Sequence, residues 1–114
     1  MDPKDPSCWD EMKAMRDDWD SYGANRIRPK AIDRARELYE ALPHKPDWAV
    51  PLAEGAVQFE WDGEGLLLEV EVHHDGLRDA LLVPVPSGKS LAFESYPSVE
   101  RLIELAGKVR AGAG

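Results

Sequence analysis

The chain has 114 residues, 43% of them hydrophobic, which allows one domain with one core and no room for a second. Lys and Arg number 14 against 22 Asp and Glu, giving a net charge of −8 that opposes non-specific binding to nucleic acid or anionic membrane. One cysteine, Cys8, excludes an internal disulfide, and the composition excludes a collagen, a disulfide scaffold and a membrane span of about 20 apolar residues.

Residues 1–6 read as a frayed lead-in without the apolar stretch of a signal peptide. With the lone thiol, this gives a cytoplasmic expectation. Ser7 is the expected N-cap of a first helix over 8–19, with Trp9, Met12, Met15 and Trp19 on its apolar stripe. Gly23 is expected to end that segment as a structural corner in the left-handed region. Pro29 opens a second helix whose stripe is Ile32, Ala35, Leu38, Tyr39 and Leu42, and Pro43 and Pro46 stop it.

From Trp48 the apolar period changes to two, with room for a short strand at 48–52. Val57, Phe59 and Trp61 alternate with Gln58, Glu60 and Asp62. After a turn at Gly63-Glu64, Leu66, Leu68, Val70 and Val72 alternate with Leu67, Glu69, Glu71 and His73. A loop of this position pairs Trp61 with Leu66 and Phe59 with Leu68. A second two-residue loop at Asp75-Gly76 pairs Val70 with Leu81, Leu68 with Val83 and His73 with Arg78. That register turns Leu81 inward and Leu82 outward. A loop at Ser87-Gly88-Lys89 leads to Leu91, Ala92 and Phe93. Ser98 or Ser95 then caps a third helix marked by Val99, Leu102, Ile103, Ala106 and Val109, and residues 111–114 are expected to be mobile.

The prediction is a single α+β domain over 1–114: two N-terminal helices, an antiparallel meander of four or five strands, and a C-terminal helix. Its expected core includes Trp9, Met12, Trp19, Ile32, Leu38, Phe59, Trp61, Leu68, Val70, Leu81, Phe93, Leu102 and Ile103. Trp48, between Pro46 and Pro51, is the tryptophan expected to be exposed.

Trp19-Asp20-Ser21-Tyr22-Gly23-Ala24, a helix opening at Pro29 and the strand Phe59-Glu60-Trp61-Asp62 together resemble a set of small uncharacterised bacterial proteins from mobile or defence-linked regions. Their signature is Trp-Asp/Asn-x-Tyr-Gly-Ala before a helix and a Glu-Trp strand. The resemblance spans roughly residues 19–72 and implies the same order of elements. It carries no assigned activity and therefore no catalytic residue.

The chemistry-bearing residues are few. His73 and His74 are neighbours on a strand and point to opposite faces, and no ligand-spaced pair accompanies His44, so no metal site is expected. Cys8 has Asp10 and Glu11 beside it, which oppose a thiolate, so it is expected to be buried or inert. Gly63-Glu64-Gly65 precedes no helix and is a turn, not a phosphate loop. No cofactor and no catalytic group are expected.

Charge distribution carries the functional reading. Residues 48–77 hold seven carboxylates and neither Lys nor Arg. The favoured function is a small, acidic, non-enzymatic protein-binding module, and its size and the resemblance suit a regulatory, antitoxin-like or anti-defence role. Glu60, Glu69 and Glu71 would contact a partner's basic patch, around an apolar centre of Leu67 and Leu82. The same outer face would also serve a homodimer. The alternative is nucleic-acid or phosphate binding through Arg26, Arg28, Lys30, Arg34 and Arg36 near a helix N-terminus. A small hydrolase or transferase with an unrecognised site is a third, weaker reading.

Overall fold

The computed structural model describes residues 1–84 and 92–111. It is an α+β domain of three helices and one five-stranded sheet. The order is α1 (Ser7–Ala14), α2 (Pro29–Ala41), β1 (Trp48–Pro51), β2 (Val57–Asp62), β3 (Leu66–Val72), β4 (Arg78–Pro84), β5 (Ala92–Ser95) and α3 (Val99–Arg110). All strand pairs are antiparallel neighbours in chain order, so the sheet is an uninterrupted meander. Among the described residues, no helix is long and apolar enough to cross a membrane.

The first helix is shorter than its stripe suggests. It ends at Ala14, and Met15 is already extended. The acidic residues that follow bind backbone instead of lining a helix. Asp17 accepts from the Arg26 N–H, Asp18 from that of Gly23, and Asp20 from those of Tyr22 and Ala24. Short carboxylates that satisfy nearby backbone donors offer the chain an alternative to helix. Gly23 does take a positive φ of 83°, but in this loop rather than at a helix end. Ser7 does not cap α1. Its N–H and hydroxyl both donate to Asp5 Oδ1, at 3.0 and 2.9 Å. The lead-in is docked too, because the terminal amine and carbonyl of Met1 pair with the Ala49 carbonyl and N–H.

The other helices follow the pattern. α2 begins at Pro29 and buries Ala31, Ile32, Ala35 and Leu38. The Ser98 hydroxyl caps α3 by accepting from the Arg101 N–H, and Leu102, Leu105, Ala106 and Val109 are buried. Helices α2 and α3 pack on β2 and β3, and α1 packs on α2. All three therefore lie on one side of the sheet. Trp9, Tyr39, Phe59 and Trp61 form a chain of rings with neighbouring centroids 5.8 to 6.3 Å apart. The buried Trp61 indole donates to the His44 carbonyl at 2.8 Å. Trp19 and Ile103, both expected in the core, sit half-buried at its margin.

The two described hairpins depart from the expected registers differently. In the first, the Gly63 N–H donates to the Leu66 carbonyl, so the loop is Glu64-Gly65 and Trp61 faces Leu68. The slip is two residues and every side chain keeps its face. Gly63 is required for a separate reason: a Cβ there would lie 2.5 Å from the Val109 carbonyl of α3. In the second, the His73 N–H donates to the Leu77 carbonyl and Gly76 has a φ of 85°. The loop is thus three residues, His74-Asp75-Gly76, the pattern of a turn followed by a left-handed bulge residue. Its register is one residue from the expected one: Val70 faces Ala80 and Leu68 faces Leu82. A one-residue slip exchanges the faces of the whole strand. Ala80 and Leu82 are therefore buried, at 2% and 3% exposure, while Leu81 is half-buried on the outer face and Phe93, opposite it, is 62% exposed. The expectations for Ser87-Gly88-Lys89, Leu91 and residues 112–114 fall outside the described residues.

At the far end of the sheet, Arg110 of α3 makes a bidentate pair with Asp47, both bonds at 3.0 Å, and donates to the Lys45 and Asp62 carbonyls. Burial alone would raise the Asp47 carboxyl. The hydrogen bonds from Arg110 and the Asp62 N–H, with the Arg110 and Lys4 charges, outweigh it and hold the group below its ordinary value of 3.8.

Two outcomes check this account. Trp61→Ala removes a fully buried ring and its hydrogen bond, and should cost about 3–5 kcal/mol in urea unfolding. Asp47 titrates lower in the folded chain than in the unfolded one, so its stabilisation is complete above pH 3.8 and is lost as pH falls through its depressed folded value. Asp47→Asn should lower Tm at pH 7, and the gap from wild type should close as pH drops below 3.8.

Candidate functional site: the open face of the sheet

Strand alternation places one residue in two on the side away from the helices. That outer face carries Trp48 and Val50 on β1, Gln58, Glu60 and Asp62 on β2, Leu67, Glu69 and Glu71 on β3, Asp79, Leu81 and Val83 on β4, and Phe93 on β5. Among the described residues, no helix packs against it. Trp48 is 47% exposed, as its neighbouring prolines predicted, and its indole donates to Asp62 at 3.0 Å.

Glu60 and Glu69 are direct cross-strand partners, and so are Glu71 and Asp79. Like charges placed opposite one another on a sheet repel. Desolvation, then the charges of Glu60 and Glu71, push the Glu69 carboxyl above its ordinary value. Desolvation likewise raises Glu71, with Glu54 and Asp79 adding to the effect and His73 opposing it. A shallow cavity of about 140 Å³ opens between these groups, lined by Gln58, Glu69, Glu71, Asp79, Leu81 and Phe93.

Of the five residues expected to contact a partner, Glu60, Leu67, Glu69 and Glu71 do share this face. Leu82 does not. It points into the core, because the hairpin register differs by one residue. Leu81 and Phe93 stand on the outer face where Leu82 was expected. The signal that could have found them was Gly76: a glycine as the third residue of a three-residue loop reads as a bulge as readily as it reads as part of a two-residue turn.

The basic run is dispersed. Arg26, Arg28 and Lys30 line one groove of about 510 Å³ with His74, Asp17 and Asn25, at the start of α2. Arg34 pairs with Glu37 and lines a separate hollow with Arg78. Arg36 lies over the Trp9 ring, 5.9 Å from its centroid. Cys8 is buried, and burial raises its thiol, which suits packing rather than nucleophilic attack. In the Trp19–Ala24 signature, Trp19 donates to the Asn25 carbonyl, Asp20 holds the loop and Ala24 is buried, whereas Tyr22 is 92% exposed.

Sequence reasoning missed one grouping. Glu71, His73 and Asp79 lie together at the β3–β4 end, their ligand atoms all within 4.8 Å of one another. The readable signal was Glu-x-His on one strand parity, and the partner came from the hairpin register.

No protein-family model, no curated protein and no solved structure matches this chain.

A pair of substitutions separates the two faces of β4. Leu82→Asp should bury a carboxylate without a partner and destabilise the domain by at least about 3 kcal/mol. Leu81→Lys, which puts a cation opposite Glu69 on the outer face, should cost less than about 1 kcal/mol. Chemical denaturation of both variants measures the difference.

Proposed function

We propose that this protein is a non-enzymatic binding module whose open sheet face docks a basic protein partner. The observation that carries the reading is the composition of that face. Exposed Phe93 and half-buried Leu67 and Leu81 sit among Glu60, Glu69, Glu71 and Asp79. Interface energy concentrates in a few desolvated apolar or aromatic anchors, while surrounding charge steers and selects. Carboxylates set opposite one another across neighbouring strands repel, and a cationic occupant relieves that repulsion. That argues for a Lys- and Arg-bearing partner over a second copy of this chain, whose own face would bring the same charges into opposition.

A second reading is anion binding in the groove of Arg26, Arg28 and Lys30, favoured by their convergence at the N-terminus of α2.

Selection from a displayed peptide library distinguishes the two. Wild type should enrich Lys- and Arg-rich peptides with an aromatic or aliphatic anchor. The enriched peptide should perturb amide resonances of β3, β4 and β5, and should bind about tenfold or more weakly to Phe93→Asp, the loss expected of one anchor residue. Its association should slow with added salt. Perturbations confined to residues 25–30, or equal binding by Phe93→Asp and by Glu69→Lys/Glu71→Lys, would overturn the docking reading.

A further inference from the structure

The geometry points to a divalent transition-metal site formed by Glu71, His73 and Asp79 at the outer end of the β3–β4 hairpin. Glu71 and Asp79 are direct partners across the two strands, and His73 follows Glu71 on the same parity. His73 Nε2 lies 3.9 Å from Glu71 Oε2 and 3.8 Å from Asp79 Oδ2. Bonds of about 2.1 Å to a tetrahedral zinc ion place donor atoms about 3.4 Å apart. All three donor atoms lie within 4.8 Å of one another, so a shared ion requires side-chain rotations that draw them together by at most about 1.4 Å.

Backbone hydrogen bonds tie the third donor to the hairpin. The His73 N–H donates to the Leu77 carbonyl and the His73 carbonyl accepts from the Gly76 N–H, each at 3.0 Å. Glu71 and Asp79 sit on paired strands, where donors are placed more precisely than on loops, and His73 follows β3 directly, tied by these two hydrogen bonds. The register that turns Leu82 inward is the same one that puts Asp79 beside Glu71.

Charge points the same way. Among the described residues, no Lys or Arg forms an ion pair with Glu71 or Asp79; the basic group facing both is the His73 imidazole. Glu54 adds a further negative charge to the field at Glu71. Two carboxylates and a neutral imidazole balance a doubly charged cation. One nitrogen and two oxygen donors suit zinc and its first-row neighbours, whereas magnesium and calcium prefer oxygen alone. Three protein ligands leave at least one coordination position open. All three ligand residues are half-buried, and the cavity beside Glu71 and Asp79 has room for bound water or for a donor from elsewhere. This inference does not rest on the docking reading, and its test needs no partner.

The test is calorimetric titration of zinc ion into the chelator-treated full chain, repeated with cobalt ion read by its visible absorption. One ion should bind per chain. His73→Ala and Asp79→Asn should each weaken binding at least about tenfold, since even outer-shell partners of metal ligands are worth about 10–100-fold. His74→Ala and His44→Ala, which leave the donor set intact, should bind like wild type. Excess magnesium should not displace the ion. Circular dichroism checks that each variant is folded, and the near-isosteric Glu71→Gln stands in for any that is not. Absence of binding by the wild type, undiminished binding by folded His73→Ala, or loss of binding in His44→Ala would overturn the assignment.

Discussion

The hydrogen bond from the His73 N–H to the Leu77 carbonyl, with Gly76 in the left-handed region, sets the register of the β3–β4 hairpin. Side chains alternate along a strand, so that loop decides which half of β4 enters the core. With Ala80 and Leu82 inward, small and large residues face Val70 and Leu68 beneath the helices. With Asp79 and Leu81 outward, a carboxylate comes opposite Glu71 and an aliphatic group comes opposite Phe93. A loop one residue shorter would bury Asp79 and expose Leu82, and the domain would lose core area while burying charge.

The second organising fact is that the helices lie on one side. Two-layer packing buries one face of a sheet and leaves the other free. The buried face is held by the ring chain from Trp9 to Trp61 and closed at one end by Arg110, which ties α3 to the approach to β1 through Asp47. A bidentate guanidinium–carboxylate pair adds orientation as well as energy. Gly63 belongs to the same junction, since any side chain there would strike the end of α3.

The free face has an unusual charge economy. Carboxylates sit opposite one another on neighbouring strands, with apolar groups between them. That arrangement costs stability in the isolated domain and would be relieved by a cation, which is the common ground of the proposed metal site and the proposed basic partner. The two readings share Glu71 and Asp79, and each has its own test.

Much of the architecture was legible in the chain. The 3.6-residue stripe after Pro29, the alternation from Val57 to Val72 and the cap at Ser98 are local patterns, and local hydrogen bonding and burial are enough to read them. The face holding Glu60, Glu69 and Glu71 was legible for the same reason, because a slip of two residues leaves alternation intact. Three features were not. The end of α1 depends on aspartates competing for backbone donors across several residues. The burial of Leu82 and the exposure of Phe93 depend on whether Gly76 closes a two- or three-residue loop, which a dipeptide cannot specify. The meeting of Glu71, His73 and Asp79 depends on that same loop. Sequence by itself thus determined the elements, their order and the acidity of the surface, since these follow from periodicity and composition. Only the tertiary structure decided which residues share that surface, because strand partners are chosen by turn geometry and by packing against the helices, neither of which is written in any one segment.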